Sequence, residues 1–336
     1  MSTNDRAMHV VLGSGQVGRA LAAHLAGLEL PVRVVSRRRP AQLPEGIEWR
    51  GAEATDVRAL TDAAQGATVM YQCLNAPYSK WPELFPPLQR GVLAGAERLG
   101  ALLVSLENLY GYGPTAGAPM TEDLPLAATT QKGRTRAAMT AELLAARDAG
   151  CVHIAIGRAS DFFGPGVTES SLGERVFANA VAGRRADFIG DPDLAHTYSY
   201  VPDIAAGLAV LGTNERAVDE IWHLAGPETV TTRQILDLVS NHVGHRVGIR
   251  SVPKPLLRAL GLFNPTLRGM VEMAYEFEEP FVLDTTKFQS AFGTTGTPLD
   301  VAVATTVTGF RGEINLATKQ PSSLVSKSLT ERKASS

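Results

Sequence analysis

Three glycines near the amino terminus have the spacing of a dinucleotide-binding turn. Gly13, Gly15 and Gly18 form G-x-G-x-x-G between an apolar run at 10–12 and a helical pattern at 19–28. The first glycine permits a tight turn, the second lets the backbone approach phosphate, and the third lets helix pack on strand. Because the helix N-terminus attracts anions, we expect a pyrophosphate here. The residues expected to hold it are Gly13, Ser14, Gly15, Gln16, Val17 and Gly18.

A basic segment follows the second predicted strand, 31–35. Ser36, Arg37, Arg38 and Arg39 stand where NAD enzymes carry an acid for the ribose 2′-hydroxyl. Guanidinium groups are planar and permanently charged, which suits a 2′-phosphate. We therefore predict NADP(H) rather than NAD(H), with Ser36, Arg37 and Arg38 among its contacts.

Composition restricts the class of protein. The 336 residues are 44% hydrophobic and 20% charged, enough for a sizeable core, and the net charge is −2. No overall basic field collects nucleic acid or an anionic membrane. No run approaches the ~20 apolar residues of a membrane span, and the amino-terminal apolar run is too short for a secretory signal. Cys73 and Cys151 lack metal or redox spacing and are expected to be buried, so we predict a cytoplasmic protein without a metal.

Strand-like and helix-like segments alternate through the first two-thirds of the chain. The predicted strands lie at 9–13, 31–36, 67–76, 101–111 and 151–160, and the predicted helices at 16–27, 83–99 and 133–150. Repeated β-α-β units build a parallel sheet with helices on both faces, and ligands bind outside the carboxyl ends of its strands. We predict an α/β fold, a Rossmann-type doubly wound parallel sheet with a smaller C-terminal substrate-binding lobe.

The pattern becomes less regular after residue 170, which sets the predicted domain limits. One fold is expected over 1–312. Its sheet core covers about 7–170 and 201–228, and its lobe covers about 171–200 and 229–312. Residues 313–336 are rich in Ser, Thr, Lys and Gln with little apolar periodicity, so we predict a disordered tail there.

Further motifs follow the glycine turn in a fixed order. They are "LNAP" (74–77), "SLENLYGYG" (105–113), "TEDLPL" (121–126), "GRASDFFGPG" (157–166), "HTYSYVPDIAAGL" (196–208) and "DTTKFQSAFG" (284–293). With them the chain resembles the extended short-chain dehydrogenase/reductase superfamily, in its NAD(P)-dependent epimerase/dehydratase branch, from residue 8 to about 310. The resemblance implies further cofactor contacts from Leu74, Asn75, Ala76, Lys132 and Ala159. It implies substrate contacts from Glu107, Asn108, Ser160, Asp161, Phe162 and Tyr198.

The sequence departs from that family at its chemistry. The family uses Tyr-x-x-x-Lys at a helix start and a Ser or Thr on the preceding strand. Here Lys132 stands at the tyrosine position and Arg136 at the lysine position, while Leu106 takes the Ser/Thr position and Ser105 lies one residue early. Adjacent strand residues face opposite sides, so Ser105 does not simply replace the missing hydroxyl. The usual Tyr–Lys pair is absent by this alignment.

Lys132 and Ser105 are the candidate catalytic residues that remain. An ammonium at Lys132 could hydrogen-bond a developing alkoxide, although its charge would also lie near the nicotinamide. Arg136 stays protonated and cannot relay a proton, but it could bind ribose or phosphate.

Three functions fit these residues. The first is an NADPH-dependent ketoreductase acting on a small organic carbonyl such as an aromatic polyketide-type intermediate of antibiotic biosynthesis. Its proton would come from Lys132, water or the substrate's own hydroxyl. The second is a non-catalytic NADP(H)-binding sensor, and the third a nucleotide-sugar epimerase or dehydratase. The resemblance also implies a homodimer through the helices at 83–99 and 133–149, the second of which carries an apolar stripe of Ala137, Ala141 and Leu144.

Overall fold

A computed structural model describes residues 7–252, 262 and 265–319 of the chain. A parallel seven-stranded sheet forms its centre, in the order β11-β6-β5-β4-β1-β2-β3. These strands are β1 (Met8–Leu12), β2 (Val32–Ser36), β3 (Glu48–Gly51), β4 (Ala67–Gln72), β5 (Leu102–Glu107), β6 (Ile154–Arg158) and β11 (Glu220–His223). The predicted doubly wound sheet is confirmed. Strand β3 was not predicted, because its residues are half-buried or exposed and show no apolar run.

Helices cover both faces of the sheet. One face packs on α1 (Gln16–Gly27) and α6 (Val201–Thr213), and the other on α2 (Val57–Ala63), α3 (Trp81–Leu99) and α4 (Gln131–Asp148). Strands buried on both faces are mostly apolar, which is why β1 and β2 lack a regular apolar–polar alternation. The Thr130 hydroxyl accepts the Gly133 N–H, so α4 begins two residues before its predicted start.

The smaller lobe consists mostly of short strands and helices, which alternate along the chain with elements of the sheet core. In chain order they are β7 (Asp161–Phe163), a π-helix (Gly173–Ala178), α5 (Asn179–Val181), β8 (Ala186–Ile189), β9 (Ala195–His196), β10 (Tyr198–Tyr200), β12 (Val230–Thr231), α7 (Thr232–Val243), β13 (Ile249–Val252), α8 (Pro265–Glu272), a 3-10 helix (Ala274–Phe277), α9 (Thr286–Phe292) and α10 (Leu299–Lys319). Strand β10 pairs with β7, and β13 pairs with β8. The lobe has its own apolar core, which includes Phe177, Tyr198 and Phe310.

Two sequence expectations differ from the structure. Helix α10 continues to Lys319, past the predicted end of the fold at 312, and its apolar positions up to Phe310 belong to the core of the lobe. The rest of the predicted tail, 320–336, lies outside the described residues. Cys151 is exposed rather than buried, since it follows the end of α4 and precedes β6, whereas Cys73 is partly buried.

Two further observations concern surfaces. Among the described residues, no helix combines the length and apolarity needed to cross a bilayer. The stripe on α4 is half-buried at Ala137 and Leu144 and exposed at Ala141. A homodimer through this surface stays a prediction.

Strand register sets which side chains meet at the carboxyl edge of the sheet. Leu12 lies beside Gln72, Gln72 beside Ser105, and Glu107 beside Arg158. Parallel strands end at one edge, so the loops that follow β1, β2, β4, β5 and β6 converge there.

Candidate functional site

The glycine turn has the geometry that a pyrophosphate needs. Gly13 has a φ of 104°, and a Cβ there would lie 2.7 Å from the Cys73 carbonyl oxygen. A Cβ on Gly18 would lie 2.1 Å from the Gly13 carbonyl oxygen. Among the residues that the structure describes, none would come within 4 Å of a Cβ on Gly15, and no side chain caps the start of α1. Free amide groups and open space therefore coincide at one helix N-terminus, which fits a dinucleotide phosphate.

The neighbours of the turn fix it against the sheet and the next loop. Val17 is buried in the core, Ser14 is half-buried, and Gln16 donates from Nε2 to the Gly166 carbonyl at 3.1 Å. This hydrogen bond joins the start of α1, directly after the glycine turn, to the loop that follows β7.

The basic segment after β2 divides into an internal and an exposed part. The Ser36 hydroxyl donates to the Arg38 carbonyl at 2.8 Å and accepts from Trp49 Nε1 at 3.1 Å. Ser36 is buried, which leaves its hydroxyl little capacity for a ligand. Arg37 and Arg38 are exposed at the strand end. These two guanidinium groups are accessible to a phosphate, whereas the hydrogen bonds of Ser36 lie within the turn.

An acidic residue that the sequence analysis missed lies beside these arginines. Glu53 follows β3, and its Oε2 lies 3.8 Å from Arg37 Nε. Strand β3 was not predicted, so nothing in the sequence placed this carboxylate next to the end of β2. Its negative charge would repel a 2′-phosphate, whereas its oxygens could accept a hydrogen bond from a ribose hydroxyl.

The third strand end carries the predicted contacts Leu74, Asn75 and Ala76. Asn75 is exposed and Leu74 is half-buried, while the buried Ala76 accepts a hydrogen bond from Trp81 Nε1 at 3.0 Å. Ala159, at the end of β6, is buried in the core. The loops bearing these residues converge at the same sheet edge.

Lys132 is buried and paired. Its Nζ lies 3.1 Å from Glu272 Oε2, and its backbone N–H donates to Glu272 Oε1 at 2.6 Å. The same ammonium lies 4.5 Å from the centre of the Tyr78 ring. A Cβ on Gly269 would come within 2.7 Å of Nζ, so the glycine allows α8 to approach. The start of α4 is thus locked to the lobe by a bidentate contact.

Arg136, one turn further along α4, is also buried. Its guanidinium lies 4.8 Å from the centre of the Phe85 ring, and Nη2 donates to the Leu106 carbonyl at 3.4 Å. Its buried Nε has no hydrogen-bond partner among the described residues. Burial lowers the pKa of Arg136, and the nearby Glu107 carboxylate acts in the opposite direction.

Ser105 and Glu107 point into a buried polar layer of the sheet. Ser105 is fully buried and accepts from Gln72 Nε2 at 3.4 Å. Glu107 accepts from Thr140 Oγ1 at 2.9 Å and from Arg158 Nε at 3.2 Å. These contacts give both residues structural partners. Their predicted catalytic and substrate roles remain predictions.

The other predicted substrate residues fall into two groups. Asp161 Oδ2 lies 2.9 Å from His196 Nε2, and the buried Ser160 Oγ has no partner among the described residues. Asn108 is half-buried and accepts the Tyr110 N–H at 3.3 Å. The second group is aromatic, and the Tyr198 ring stacks on His196 with ring centres 4.3 Å apart. Phe162 packs against the sheet core, and the buried Tyr198 hydroxyl bonds Thr232 Oγ1 at 2.7 Å.

A cluster of phenols and carboxylates lies next to Lys132, whose Nζ contacts the Tyr78 ring. We define the tyrosine–carboxylate cluster as Tyr78, Tyr110, Tyr275, Asp161 and Glu276. The Tyr78 and Tyr110 hydroxyls bond each other, and burial, with Glu276 nearby, raises the pKa of both. The Tyr275 hydroxyl and Glu276 Oε1 are buried without partners among the described residues.

Sequence reasoning missed Glu272, Tyr275 and Glu276. They lie in "EMAYEFEEP" (272–280), where an acidic run has the composition of a solvated surface. The available signal was the spacing of Met273, Ala274 and Phe281, which are buried. That spacing would have predicted that this segment packs inward.

The chain is similar in sequence to a known family of proteins. A family model described as "NAD dependent epimerase/dehydratase family" matches residues 9–225. The curated uncharacterized protein y4nL of Sinorhizobium fredii is 24% identical over 211 residues, covering 60% of this chain and 58% of that protein. The chain therefore spans less than two-thirds of that relative's length.

Solved structures share the fold at low identity. The epimerase Mth375 of Methanothermobacter thermautotrophicus has a TM-score of 0.78 at 16% identity, covering 94% of this chain and 96% of its own. The UDP-glucose 4-epimerase of Thermus thermophilus, in complex with NAD, gives 0.71 at 19%, with 91% and 99% covered. The dTDP-glucose 4,6-dehydratase of Bacillus anthracis, also with NAD, gives 0.75 at 13%, with 92% and 98% covered.

The predicted family is confirmed, because the model match covers more than half of the chain and includes both the glycine turn and β11. The assignment of Lys132 and Arg136 to the family's tyrosine and lysine positions stays a prediction. By its sequence match and its sheet, this chain belongs to the NAD dependent epimerase/dehydratase family.

Proposed function

We propose that the protein is an NADPH-dependent ketoreductase that reduces the carbonyl of a small organic molecule, such as an aromatic polyketide-type intermediate. The observation that carries the proposal is the exposed pair Arg37 and Arg38 at the end of β2, beside the open glycine turn. Two exposed guanidinium groups favour a nucleotide with an additional phosphate, although Glu53 lies 3.8 Å from one of them. Family membership supports the use of a nicotinamide cofactor, without a preference between NADPH and NADH.

The chain's residues divide the task of holding the cofactor. Free amides at the start of α1 suit the pyrophosphate, and Arg37 with Arg38 suits the 2′-phosphate. NADPH, when bound, supplies hydride-donating chemistry at its nicotinamide ring. The roles left to the protein are to orient the substrate carbonyl, exclude water and supply a proton.

The pairing of Lys132 with Glu272 bears on whether an ammonium is tolerated near the nicotinamide. Two unit cations about 4 Å apart repel by about 4 kcal/mol at an effective dielectric of about 20. A carboxylate oxygen 3.1 Å from Nζ offsets much of that repulsion. Lys132 can therefore donate a hydrogen bond to a substrate oxygen without adding a net charge to the site.

An aromatic group beside Lys132 supports a flat, apolar substrate. Trp81 packs against Tyr78, Phe85 and Tyr110, with ring centres 5.2, 5.4 and 5.6 Å apart. Trp81 and Phe85 are buried, whereas Tyr78 and Tyr110 are only partly buried. The two tyrosine rings could thus form one wall of a binding site for an aromatic ketone.

A nucleotide-sugar epimerase or dehydratase is the second candidate. The printed names of the Thermus thermophilus and Bacillus anthracis structures favour it, and both are described in complex with NAD. The carboxylate of Glu53 near the end of β2 also suits a free ribose hydroxyl. The absence of the usual tyrosine from the alignment argues against it, since those reactions rest on that residue in the family the chain resembles.

A single assay distinguishes these functions. Purified protein is mixed with NADPH or NADH and hydroxylated aromatic ketones, including ortho-hydroxyacetophenone, and the absorbance of reduced nicotinamide is followed. We expect NADPH consumption that depends on the ketone. Tight NADPH binding with no consumption by any ketone would favour the sensor. Conversion of UDP-glucose or dTDP-glucose with NAD would favour the second candidate.

Substitution at the end of β2 tests the cofactor preference. Arg37→Asp should raise the NADPH Kd at least tenfold and leave the NADH Kd nearly unchanged, because only NADPH carries the 2′-phosphate. Glu53→Gln should act in the opposite sense, lowering the NADPH Kd about threefold to tenfold relative to that of NADH. Calorimetric titration measures both constants. Arg58→Asp, an exposed reversal on α2, serves as the matched control. Equal losses for the two cofactors in Arg37→Asp would reject the NADPH assignment.

A further inference from the structure

The 3-10 helix Ala274–Phe277 brings a carboxyl group into the interior. Glu276 is 2% exposed, and its Oε1 has no hydrogen-bond partner among the described residues. An ionised carboxylate oxygen that is buried without a donor is costly, so such a group either carries a proton or binds a ligand. Lys132, which contacts the Tyr78 ring, is already bound by Glu272.

The surroundings of Glu276 favour its neutral form. Burial, followed by the Asp161 carboxylate, holds the pKa of Glu276 well above its usual range. The titratable groups around it are Tyr78, Tyr110, Tyr275 and Asp161, with Glu272–Lys132 and His196 one contact further away. The Asp161 carboxylate lies 2.9 Å from His196 Nε2 on β9, so a residue of the lobe fixes the position of this charge.

We infer that Glu276 is the proton donor of this site and protonates the substrate oxygen during carbonyl reduction. The inference rests on the proposed function and supplies the acid that the missing tyrosine leaves open. Glu276 adjoins the phenol pair Tyr78–Tyr110, and Lys132 Nζ lies 4.5 Å from the centre of the Tyr78 ring. Tyr78 is therefore a shared neighbour of the acid and of the ammonium.

The step balances in atoms and charge. As the carbonyl carbon gains the hydride that bound NADPH would supply, its oxygen gains an electron pair and forms a bond to the Glu276 proton. The Glu276 O–H bond breaks, its electron pair stays on the carboxyl group, and the product is an alcohol. The carboxylate then recovers a proton from solvent, and the neighbouring Asp161 charge favours that return.

Phenols of the same cluster are weaker candidates. Burial raises the pKa of Tyr78, Tyr110 and Tyr275 above the ordinary value for tyrosine. A proton donor is most effective when its pKa lies near the working pH, and the raised pKa of a carboxyl group moves toward that pH whereas that of a phenol moves away.

Glu276→Gln tests the inference, because the amide keeps the shape and removes the transferable proton. We expect kcat with ortho-hydroxyacetophenone and NADPH to fall about 10²-fold to 10⁴-fold, with an unchanged NADPH Kd. Glu278→Gln, an exposed carboxylate on the neighbouring turn, is the control and should retain wild-type kcat. Thermal unfolding and NADPH titration verify that both variants are folded.

Two readouts separate proton donation from packing. The wild-type rate should fall as pH rises through the Glu276 pKa, and that limb should vanish in Glu276→Gln. Infrared difference spectra of wild type and variant, recorded without cofactor at pH 7, should contain the carbonyl band of a protonated carboxyl group. A carboxylate band instead, or an unchanged pH limb, would overturn the inference. Failure of wild-type protein to oxidise NADPH with any ketone would reject the proposed function, and the inference with it.

Discussion

At the scale of single residues, the buried polar layer of the sheet is held by charges that satisfy one another. Arg158 and Glu107 are nearly inaccessible, and their side chains form an ion pair between adjacent strands. Arg158 also lies 4.7 Å from the centre of the Tyr112 ring. A buried ion pair contributes little net stability by itself, but removal of one member leaves the other charge unpaired in a medium that solvates it poorly.

Glu107→Leu should therefore destabilise the fold strongly. We expect a loss of about 3–5 kcal/mol in the free energy of unfolding, because Arg158 keeps its charge without its partner. The double variant Glu107→Leu, Arg158→Met should recover part of that loss. Urea unfolding monitored by Trp fluorescence measures each value. A single variant as stable as the double variant would contradict this account of the ion pair.

At the scale of elements, the turn between β1 and α1 separates glycines needed for folding from one available for binding. Gly18 has no room for a Cβ because the Gly13 carbonyl lies in the way, whereas Gly15 faces open space. Gly18 is therefore required for packing and Gly15 for open space at the ligand site, although the sequence motif shows both simply as glycine.

Alanine at each position should separate those requirements. Gly18→Ala should destabilise the fold by about 1–3 kcal/mol, the usual cost of forcing atoms into a packed region. Gly15→Ala should keep wild-type stability within about 0.5 kcal/mol but raise the NADPH Kd at least tenfold, since a methyl group occupies the path of the phosphate. Thermal unfolding and calorimetric titration on both variants test this. Unchanged NADPH affinity in Gly15→Ala would place the pyrophosphate elsewhere.

At the scale of the whole molecule, a buried histidine joins the sheet to the lobe. His223 on β11 bonds the Asp284 carbonyl through Nδ1 at 2.9 Å and the Tyr112 hydroxyl through Nε2 at 2.7 Å. The carbonyl can only accept, so Nδ1 carries the proton and Nε2 accepts from tyrosine. Burial lowers the pKa of His223 to about 4.

Stability should consequently depend on pH through His223. The folded state favours the neutral ring, so its contribution is complete above pH 6.5 and declines as pH falls toward about 4. The slope is about 1 kcal/mol per pH unit for one proton. Urea unfolding of wild type and His223→Gln across this range should give a steeper loss for wild type. Parallel curves would show that His223 does not titrate between the two states.

The sequence by itself determined the sheet, the glycine turn and the family. Each depends on local order: β1 contains the apolar run 10–12, and Gly13, Gly15 and Gly18 lie within six residues of chain. The exposed pair Arg37 and Arg38 also follows from position alone, because the residue after a parallel strand lies at the ligand-binding edge.

Tertiary structure alone decided the partners of those residues. Lys132 meets Glu272 across 140 positions of sequence, and Arg37 meets Glu53 only because β3 pairs beside β2. The segment at 272–280 is rich in glutamate, yet its apolar residues Met273 and Ala274 are buried, and Glu276 is buried with them. Charge and burial at a site depend on which distant segments pack together, and no local pattern encodes that packing.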